Sequence, residues 1–468
     1  MALNFDIISG VKNIWGRYVI VMNWTEAQKK TIETREKNIL VSAAAGSGKT
    51  AVLIERIKQL VLKDKIDIDR FLITTFTNAA SVEMKERLEK AIKSELDKEG
   101  ADRNFLKRQL NMMPTANIST FHTFALEIMK HYFYLTDLEP GFKIGDEIQV
   151  SILKNEAIDI LFEKRFSEDY ERFKEFLKKY SSDRSEKKLK QNIIKLYDEI
   201  RSIPHYFNWA ENRCRLMRAE SPSKAMGLRA FVTEETKECI CRAAEAYEMA
   251  AELIDETGLC ELSVKAYDDT EKIRNILGCV EDGSEEDVGS ILKNLKFNRM
   301  SVKKDQQEIY NEIKEKVSRF RKNGKKLLDD LRGKYYAETF EEYDLQLRSQ
   351  HDDTEYFIGL MRDFEEVFSS KKSEKNMVDF DDVMHYAIDI LNDPAAAEEY
   401  REKFLYIFID EFQDSNMLQE EIIGKISREN NLFMVGDVKQ SIYKFRLAEP
   451  EIFKRKYELY KDSGGETS

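Results

Sequence analysis

The sequence predicts an α/β fold, in which a P-loop parallel sheet domain is interrupted by a large all-helical insertion. Three observations lead to this prediction. Short apolar runs alternate with helical patterns near the start of the chain, amphipathic helical patterns fill its middle, and short apolar runs return near its end. Because the chain has 468 residues, it is too long for one ordinary core, and we expect more than one domain.

Residues 22–125 predict the first part of the sheet domain. The apolar runs "NILVSAA" and "RFLITTF" are each followed by a helical pattern, "AVLIERIKQLVL" and "NAASVEMKERLEKAI". Strand–helix–strand–helix order of this kind is typical of a parallel sheet. Residues 1–21 precede it as an N-terminal extension, whose apolar residues are interrupted by Asp6, Lys12 and Arg17. This extension therefore predicts neither a signal peptide nor a membrane span.

Residues 126–376 predict the helical insertion. Leu189, Ile193, Leu196 and Ile200 recur at spacings of four, three and four, which indicates one apolar helix face. The stretches "YERFKEFLKKY" and "DQQEIYNEIKEKVSRFRKNGKKLLDDL" predict amphipathic helices with charged outer faces. The acidic, glycine-containing stretch "GCVEDGSEEDVG" predicts a loop between helices.

Residues 377–461 predict the second part of the sheet domain. The near-continuous apolar run "KFLYIFID" is typical of a central strand that is buried on both faces, and "NLFMVGD" predicts another strand. Residues 462–468, "DSGGETS", predict a polar tail or a truncation point.

Charge and cysteine content narrow the classes of function. A net charge of −12 argues against broad, non-specific wrapping of nucleic acid, although a local basic groove can still bind phosphates. The five cysteines form no C-x-x-C pair, so we interpret them as reduced, packed thiols of a cytoplasmic protein rather than as a zinc site. We expect no membrane partner.

The segment "ILVSAAAGSGKTAV" predicts a phosphate-binding loop. It fits G-x-x-x-x-G-K-[ST] except that Ala43 replaces the first glycine, while Gly46 and Gly48 keep the backbone open to a phosphate. Lys49 and Thr50 then lie at a helix N-terminus, where Lys49 is expected to reach the β- and γ-phosphates. The alternative is a flexible Gly-Ser turn. The expected nucleotide-binding residues of the loop, which the resemblance described below assigns to ATP, are Ala43, Ala44, Ala45, Gly46, Ser47, Gly48, Lys49 and Thr50.

The segment "FLYIFIDEFQDSN" ends an apolar strand in two adjacent carboxylates. We expect Asp410 to hold Mg²⁺ through its water shell, with Thr50 as a further ligand, and Glu411 to orient and deprotonate an attacking water. The alternative is a solvated acidic turn. A phosphate loop on a neighbouring strand argues against that alternative.

Two further segments, "LITTFTNAASVEM" and "ANISTFHTFA", present polar and aromatic groups after apolar runs. Such groups suit contacts with a sugar-phosphate backbone and with base faces, although ordinary strand-end turns use the same residues. Taken alone, His122 is more typical of a packed or capping histidine than of a catalytic one. The residues of these segments expected to contact nucleic acid, which the resemblance described below assigns to DNA, are Thr75, Thr77, Asn78, Thr120, Phe121 and His122.

The segment "FMVGDVKQSIYKFR" places Gln440, Tyr443 and Phe445 after the last predicted strand. Aromatic residues two positions apart can belong to a core. Here they are interleaved with Lys439, Lys444 and Arg446, a mixture that favours single-stranded nucleic acid.

In their order, these segments resemble the motifs of superfamily 1 DNA helicases of the UvrD/RecB group. "WTEAQ" resembles the Q motif, "AAAGSGKT" motif I, "TFTNAASVEM" motif Ia, "STFHTFA" motif Ib, "IDEFQDSN" motif II and "VGDVKQSIYKFRLAEP" motif III, while "VDFDDVMHYA" resembles the segment that re-enters the motor domain. Within this group the sequence is most similar to the AddA family, because of "VGDVKQSIYKFRLAEPEIF" and because 255 positions (379 − 124) separate Phe124 from Asp379.

The resemblance implies a RecA-like motor that uses ATP and Mg²⁺. It also implies that Gln28 contacts adenine, that Gln440 is catalytic and couples the γ-phosphate to the DNA groove, and that Tyr443 and Phe445 meet bases of the tracking strand. For the family it implies 3′ to 5′ helicase and translocase activity on single- and double-stranded DNA, and a heterodimer with an AddB-like subunit. Its implied role is the repair of double-strand breaks for recombination.

The same resemblance implies a second lobe with an ATP-facing arginine, and then a nuclease domain, after motif III. Only 22 residues (468 − 446) follow Arg446, so we expect the N-terminal portion of such a protein, able to bind nucleotide with little turnover. Three alternatives remain open: a UvrD/PcrA-type repair helicase, a P-loop kinase, and a non-catalytic half-motor that binds only nucleotide and a partner.

Overall fold

The computed structural model describes residues 9–14, 17–22, 24–43, 46–181, 186–281, 285–437, 450–462 and 466–467. The chain forms two compact units, the first made of Met1–Trp209 with Leu360–Ser468 and the second of Ala210–Gly359. The predicted domain limits at residues 125 and 376 stay a prediction. No helix of the described residues is both long and apolar enough to cross a membrane.

The strands of the described residues form one large sheet and two small ones. They are β1 Ser9–Ile14, β2 Arg17–Met22, β3 Ile39–Ser42, β4 Phe71–Thr75, β5 Asn117–Thr120, β6 Lys143–Ile144, β7 Met377–Val378, β8 Tyr406–Ile409, β9 Leu432–Gly436 and β10 Glu466–Thr467. The large sheet has the order β10-β3-β9-β8-β4-β5, and all its neighbouring strands are parallel. The predicted parallel α/β sheet is therefore confirmed. β1 and β2 form an antiparallel hairpin, and β6 pairs with β7.

Helices connect the strands and make up most of residues 147–374. They are α1 Glu26–Glu33, α2 Lys49–Leu62, α3 Asn78–Leu96, α4 Arg103–Met112, α5 Phe121–His131, α6 Glu147–Glu168, α7 Tyr170–Tyr180, α8 Glu186–Ile200, α9 Tyr206–Leu216, α10 Pro222–Ala225, α11 Leu228–Asp255, α12 Cys260–Glu281, α13 Glu285–Asn294, α14 Gln307–Tyr335, α15 Phe340–Ser349, α16 His351–Glu374, α17 Phe380–Ile390, α18 Pro394–Lys403, α19 Met417–Ile426 and α20 Pro450–Asp462.

The large sheet is covered on both faces, because successive side chains of its central strands enter different cores. In β8, Phe408 packs with helices α2 and α3 in one core, whereas Ile407 and Ile409 join α5, α17 and α19 in the other. In β9, Phe433 packs in the first of these cores and Met434 in the second. The predicted strand buried on both faces is confirmed, and "NLFMVGD" supplies its neighbour β9.

Two details of the insertion differ from the sequence prediction. Helix α8 buries Leu189, Ile193 and Tyr197, whereas Leu196 is 40% exposed, so the apolar face follows a spacing of four residues throughout. Tyr197 is drawn inward because its ring packs edge-on against Phe364, with ring centres 5.1 Å apart. The predicted loop at residues 278–289 is mostly helical, since α12 continues to Glu281 and α13 begins at Glu285.

The second unit is helical, and its cores lie between α11, α12 and α14. The ring of Tyr247 on α11 stacks on Phe297 with centres 4.6 Å apart. Gly324 on α14 permits this packing, because a Cβ at that position would lie 2.8 Å from the Tyr247 ring. The two predicted amphipathic helices correspond to α7 in the first unit and α14 in the second, so both are confirmed.

Candidate active site

The phosphate loop joins strand β3 to helix α2 at the carboxyl edge of the large sheet. Gly46 and Gly48 both have positive φ angles, +76° and +83°, a backbone conformation that favours glycine. Gly48 is also the N-cap of α2, whose first residue is Lys49, so the free N–H groups of the helix face the loop. This is the backbone geometry that a phosphate group needs.

Ala43 occupies the position at which the usual pattern has glycine. Its N–H donates to the carbonyl of Gly436 at 3.2 Å, so it extends the pairing of β3 with β9 by one residue. Ala43 is buried, and it is not among the described residues with a positive φ angle, so a Cβ is tolerated there. Alanine is therefore compatible with the loop. Ala44 and Ala45, which were also expected to bind ATP, lie outside the described residues.

Lys49 is the central cation of the site. Its Nζ is buried, has no hydrogen-bond partner among the residues that the structure describes, and lies 3.8 Å from Oε2 of Glu411. The Oγ of Ser47 is likewise buried without a partner in the described part of the chain. Buried polar atoms are normally satisfied, so these two atoms indicate that the loop is built to receive a polar ligand.

The acidic pair follows β8 and faces the phosphate loop. The N–H of Asp410 donates to the carbonyl of Thr74 at 3.0 Å, and Oδ1 of Asp410 accepts from the N–H of Glu411 at 3.1 Å. Burial, with the neighbouring Glu411 carboxylate, raises the pKa of Asp410 to about 6. A carboxylate destabilised by burial in this way is a natural ligand for a cation.

The expected adjacency of the two site-bearing strands is wrong. Strand β9 lies between β3, which precedes the phosphate loop, and β8, which precedes the acidic pair. The acidic pair nevertheless reaches the loop, because Glu411 has a positive φ of 54°, which turns the chain at the end of β8. A left-handed glutamate is strained, and such strain is common at functional sites.

Gln413 holds Glu411 in place and was not identified from the sequence. Its Nε2 donates to Oε2 of Glu411 at 2.8 Å, and its Oε1 accepts from the N–H of Asp437 at 2.8 Å. Gly436 makes room for it, since a Cβ there would lie 2.5 Å from Oε1 of Gln413. Gln413 therefore connects the acidic pair to the end of β9. The signal was its position inside the polar stretch "DEFQDSN".

Gln28 contacts the phosphate loop from helix α1. Its Nε2 donates to the carbonyl of Ser47 at 3.2 Å, and its Oε1 accepts from the N–H of Thr25 at 2.9 Å as part of a capping box. Gln28 is only 2% exposed. In this conformation the amide supports the loop, and its contact with adenine stays a prediction.

An open cleft of about 390 Å³ extends from the acidic pair along helix α3. It brings together the two predicted Mg²⁺ ligands, Thr50 and Asp410. Hydroxyl and carboxylate oxygens are the ligands that Mg²⁺ prefers, and Lys49 supplies a cation for the phosphates, so the residues present fit a Mg²⁺-nucleotide. The other lining residues are Phe76, Thr77, Ala80, Glu83, Met84, Arg87, Glu411, Gln413 and Asp414.

The residues expected to bind DNA after β4 lie at the N-terminus of α3. Thr75 is buried, and its hydroxyl donates to the carbonyl of Thr77 at 3.0 Å. Thr77 is exposed and caps α3 by accepting from the N–H of Ala80 at 3.1 Å. Asn78 is exposed and begins α3. Thr77 and Asn78 are therefore accessible from solvent, whereas Thr75 supports the turn.

The residues expected to bind DNA after β5 lie at the N-terminus of α5. Thr120 is its N-cap, and Thr120 Oγ1 accepts from the N–H of Thr123 at 3.4 Å. Phe121 is 6% exposed and belongs to the core, so it is not accessible to a base in this conformation. Burial lowers the pKa of His122, which keeps its imidazole neutral at pH 7.

Phe380, on α17, is an aromatic residue at this surface that the sequence did not single out. It is 55% exposed and lies edge-on to His122, with ring centres 6.0 Å apart. A large exposed aromatic ring beside predicted DNA contacts is a candidate base platform. The remaining predicted residues, Gln440, Tyr443 and Phe445, lie outside the described residues.

Comparisons with known proteins show the family of the chain. Residues 24–461 match the family described as UvrD/REP helicase N-terminal domain. The chain is similar to an ATP-dependent helicase/nuclease subunit from Alkaliphilus oremlandii, with 39% identity over 440 residues, which cover 93% of this chain and 36% of the relative.

The proteins of the same name from two other organisms give similar values. The protein from Alkaliphilus metalliredigens is 35% identical over a region that covers 95% of this chain and 37% of the relative. The protein from Syntrophomonas wolfei is 36% identical over a region that covers 94% of this chain and 35% of the relative. The chain thus spans about a third of the length of the curated relatives it matches. Since the family match covers nearly the whole chain, the protein belongs to the UvrD/REP helicase N-terminal domain family.

Proposed function

We propose that this chain is the ATP-binding motor domain, with its helical insertion, of an AddA-type ATP-dependent DNA helicase. The observation that carries the proposal is the buried Lys49 Nζ, which lacks a hydrogen-bond partner among the described residues and lies 3.8 Å from Glu411 at the end of a glycine-containing loop. Burying such a cation without a hydrogen bond, with one carboxylate at 3.8 Å, is costly unless a ligand supplies the missing bonds. The oxygens of a nucleotide phosphate would accept those bonds and add the negative charge that favours them.

The chain's own residues then divide the work on ATP. The free N–H groups at the start of α2 and Lys49 bind the phosphates, and Thr50 and Asp410 would hold Mg²⁺. The metal would screen the phosphate charge when bound. Glu411, held by Gln413, accepts a proton from the attacking water. The γ-phosphate thus lies between a fixed cation and a fixed base.

Recognition of adenine by Gln28 is part of the proposal. The Gln28 amide uses one Nε2 hydrogen and one Oε1 lone pair in its contacts with Ser47 and Thr25. One donor and one acceptor remain. This pair matches the N7 acceptor and N6 donor of adenine, and not the two acceptors of guanine. Binding requires a local opening, because Gln28 is 2% exposed.

Single-stranded DNA is proposed to cross the tops of β4 and β5. Thr77, Asn78 and Thr120 offer hydroxyl and amide groups for backbone phosphates, and Phe380 beside His122 offers a ring for a base. We propose Gln440, Tyr443 and Phe445 as further contacts from the resemblance of motif III, and movement from 3′ to 5′ from the resemblance to the family as a whole.

The broader role is also a proposal. The relatives' name implies a helicase/nuclease subunit, so we propose a heterodimer with an AddB-like partner that acts on double-stranded and single-stranded DNA during recombinational repair. Within the chain, we propose residues 22–125 and 377–461 as the motor and 126–376 as the insertion. For residues 1–468 alone we propose nucleotide binding with slow turnover, because the family's second lobe supplies an arginine to the phosphate.

The test is nucleotide and DNA binding by the 468-residue chain. A fluorescent ATP analogue with Mg²⁺ should bind, and a single-stranded oligonucleotide should raise the hydrolysis rate. Lys49→Ala should weaken nucleotide binding about 10- to 100-fold and abolish the response to DNA, whereas Lys58→Ala, on the same helix, should change neither. Nucleotide binding without any response to DNA would favour the non-catalytic alternative. Phosphorylation of a small acceptor in the absence of DNA would favour a kinase.

A further inference from the structure

Helix α1 is joined to the phosphate loop and to helix α2 by two polar links. At one end of α1, Gln28 Nε2 donates to the carbonyl of Ser47 in the loop at 3.2 Å. At the other end, Nη1 of Arg56, which belongs to α2, donates to the carbonyls of Thr31 at 2.6 Å and Ile32 at 3.3 Å. Gln28 thus contacts the phosphate loop directly, and Arg56 lies on the helix that follows the loop.

Arg56 is an unusual arginine. It is 1% exposed, and its guanidinium lies over the ring of Phe433 in β9, 4.9 Å from the ring centre. Its Nε has no hydrogen-bond partner within the described residues, and none of the ion pairs found among them involves Arg56. Burial lowers its pKa to about 10.

A buried guanidinium without a carboxylate is expensive to maintain. The carbonyls at the end of α1 offset part of this cost, because a helix C-terminus carries partial negative charge. The ring of Phe433 offsets a further part through the cation–π interaction. An apolar residue of similar length would fill the same space at lower cost, so packing alone does not account for an arginine here.

We propose that Arg56 is a positioning residue for nucleotide binding, which acts through helix α1 and Gln28 on the phosphate loop. The inference rests on the proposed function, because it assigns to that same site a residue outside the loop. It concerns the shape of the loop before the nucleotide arrives, and not a contact with the nucleotide.

The geometry closes a ring of interactions. Along the chain, Ser47 leads directly into α2 and so to Arg56. Through space, Arg56 holds the last turn of α1, and Gln28 on the same short helix returns to the Ser47 carbonyl. A closed ring restricts the loop more than either link alone, so its removal should allow the loop to sample shapes that bind phosphate poorly.

A second arginine, Arg35, also donates to the carbonyl of Ile32, at 2.8 Å, but it lies on the chain that follows α1 and pairs with Asp64. It therefore shares one of the two acceptors. Thr31 is the acceptor that Arg56 holds at 2.6 Å, and this bond connects α1 to the middle of α2. Loss of Arg56 should not be fully replaced by Arg35.

The test measures the dissociation constant of a fluorescent ATP analogue with Mg²⁺ for the 468-residue chain. Arg56→Met keeps the apolar stem and removes the donors, and it should raise the constant about tenfold or more, the effect expected on losing hydrogen bonds from a charged group. Arg56→Lys keeps one donor and should lie between the wild type and Arg56→Met. Lys58 is a cation on the same helix and pairs with Glu55, so Lys58→Met is the matched control and should leave the dissociation constant unchanged.

A double-mutant cycle separates positioning from general stability. If Arg56 acts through Gln28, the double variant Gln28→Ala with Arg56→Met should bind no more weakly than the weaker single variant. If the fold-changes in the dissociation constant of the two single variants multiplied in the double variant, the proposal would be overturned. An unchanged dissociation constant in folded Arg56→Met would also overturn it. If Arg56→Met does not fold, the same cycle with Arg56→Lys decides. Failure of the wild type to bind nucleotide would instead overturn the proposed function.

Discussion

The Nζ of Lys49 lies 3.8 Å from Oε2 of Glu411. The two residues follow strands β3 and β8, which are not neighbours in the sheet because β9 lies between them. The Lys49 side chain is largely buried, whereas the Glu411 side chain is 41% exposed toward the cleft. The ammonium group of Lys49 and the carboxylate of Glu411 therefore face the same region of the site. This arrangement suits the terminal phosphate of a nucleotide and the water that attacks it.

Glu411→Gln should separate binding from chemistry. Removing the carboxylate lowers the repulsion of the triphosphate, so ATP should bind as tightly as in the wild type or a few-fold more tightly. Hydrolysis should fall about 100-fold or more, because the general base is lost. Single-turnover hydrolysis with excess protein measures the second effect even if turnover is slow. The exposed Glu429→Gln is the control, and equal rates for the two variants would contradict the role of Glu411.

Asp410 should make the stability of the chain depend on pH. Its pKa is raised from 3.8 to about 6, so between these values the folded state keeps a proton that the unfolded state has lost. The stability of the folded state should therefore fall as pH rises through this window and level off above it. Asp410→Asn lacks this titration and should be more stable than the wild type by about 1–3 kcal/mol at pH 7–8.

The measurement is urea denaturation of both proteins from pH 4 to pH 8 without Mg²⁺. The difference between them should be small near pH 4 and should reach its full size near pH 7. Mg²⁺ should reduce the difference, because a bound cation stabilises the ionised wild-type carboxylate. A difference that does not change with pH would show that Asp410 is not destabilised by burial.

Gln413 should act on catalysis through Glu411. Gln413→Ala removes the donor to Glu411 at 2.8 Å and the acceptor for the Asp437 N–H at 2.8 Å. Hydrolysis should fall about tenfold, with little change in the dissociation constant for ATP, as expected when a base is misplaced but still present. Gly436→Ala should have a similar effect, because its Cβ would lie 2.5 Å from Gln413 Oε1. Weaker ATP binding with unchanged hydrolysis would contradict this role.

A buried charge network at the start of α17 should be important for stability. Nη1 and Nη2 of Arg201 donate to Asp379 at 2.8 and 3.0 Å, and Nζ of Lys372 donates to Asp379 at 3.0 Å and to Asp382. Burial alone would raise the pKa of Asp379, but Arg201 and Lys372 hold it well below its ordinary range. Asp379 is therefore present as a carboxylate in this network.

Asp379→Asn should destabilise the chain by about 3–5 kcal/mol, since it removes one of the two carboxylates, Asp379 and Asp382, that the buried cations Arg201 and Lys372 share. Asp381→Asn is the matched control, because its side chain is 47% exposed and lies 3.7 Å from Arg201. It should cost less than about 1 kcal/mol. Equilibrium denaturation of both variants measures the difference. Equal losses would show that burial does not govern this network.

The sequence predicted the parallel sheet and its central strand well, because apolar strands such as "KFLYIFID" are buried on both faces and read as continuous runs. It also placed Lys49, Asp410 and Glu411 in one site, since glycine spacing and adjacent carboxylates have specific chemical meaning. The spatial order of the strands was not accessible in the same way. Connections between parallel strands do not specify which strand lies in the middle, and β9 took that place.

Residues whose role depends on three-dimensional contacts were missed. Gln413 and Arg56 look like ordinary polar residues of a turn and a helix, and only the structure brings Gln413 to Glu411 and Arg56 to the end of α1. The prediction of which residues form the buried face of α8 was partly wrong for a related reason. Leucine and tyrosine both fit a helical stripe, and the rings of Phe364 and Phe368 select Tyr197 in place of Leu196.

The most direct test of the account is the affinity of Lys49→Ala for an ATP analogue with Mg²⁺, measured beside wild type and Lys58→Ala. The account predicts that wild type and Lys58→Ala bind alike. It predicts that Lys49→Ala, although folded, binds about 10- to 100-fold more weakly, because a charge-assisted bond to phosphate is lost. If Lys49→Ala bound ATP as tightly as the wild type, the phosphate site would lie elsewhere and the account would be wrong.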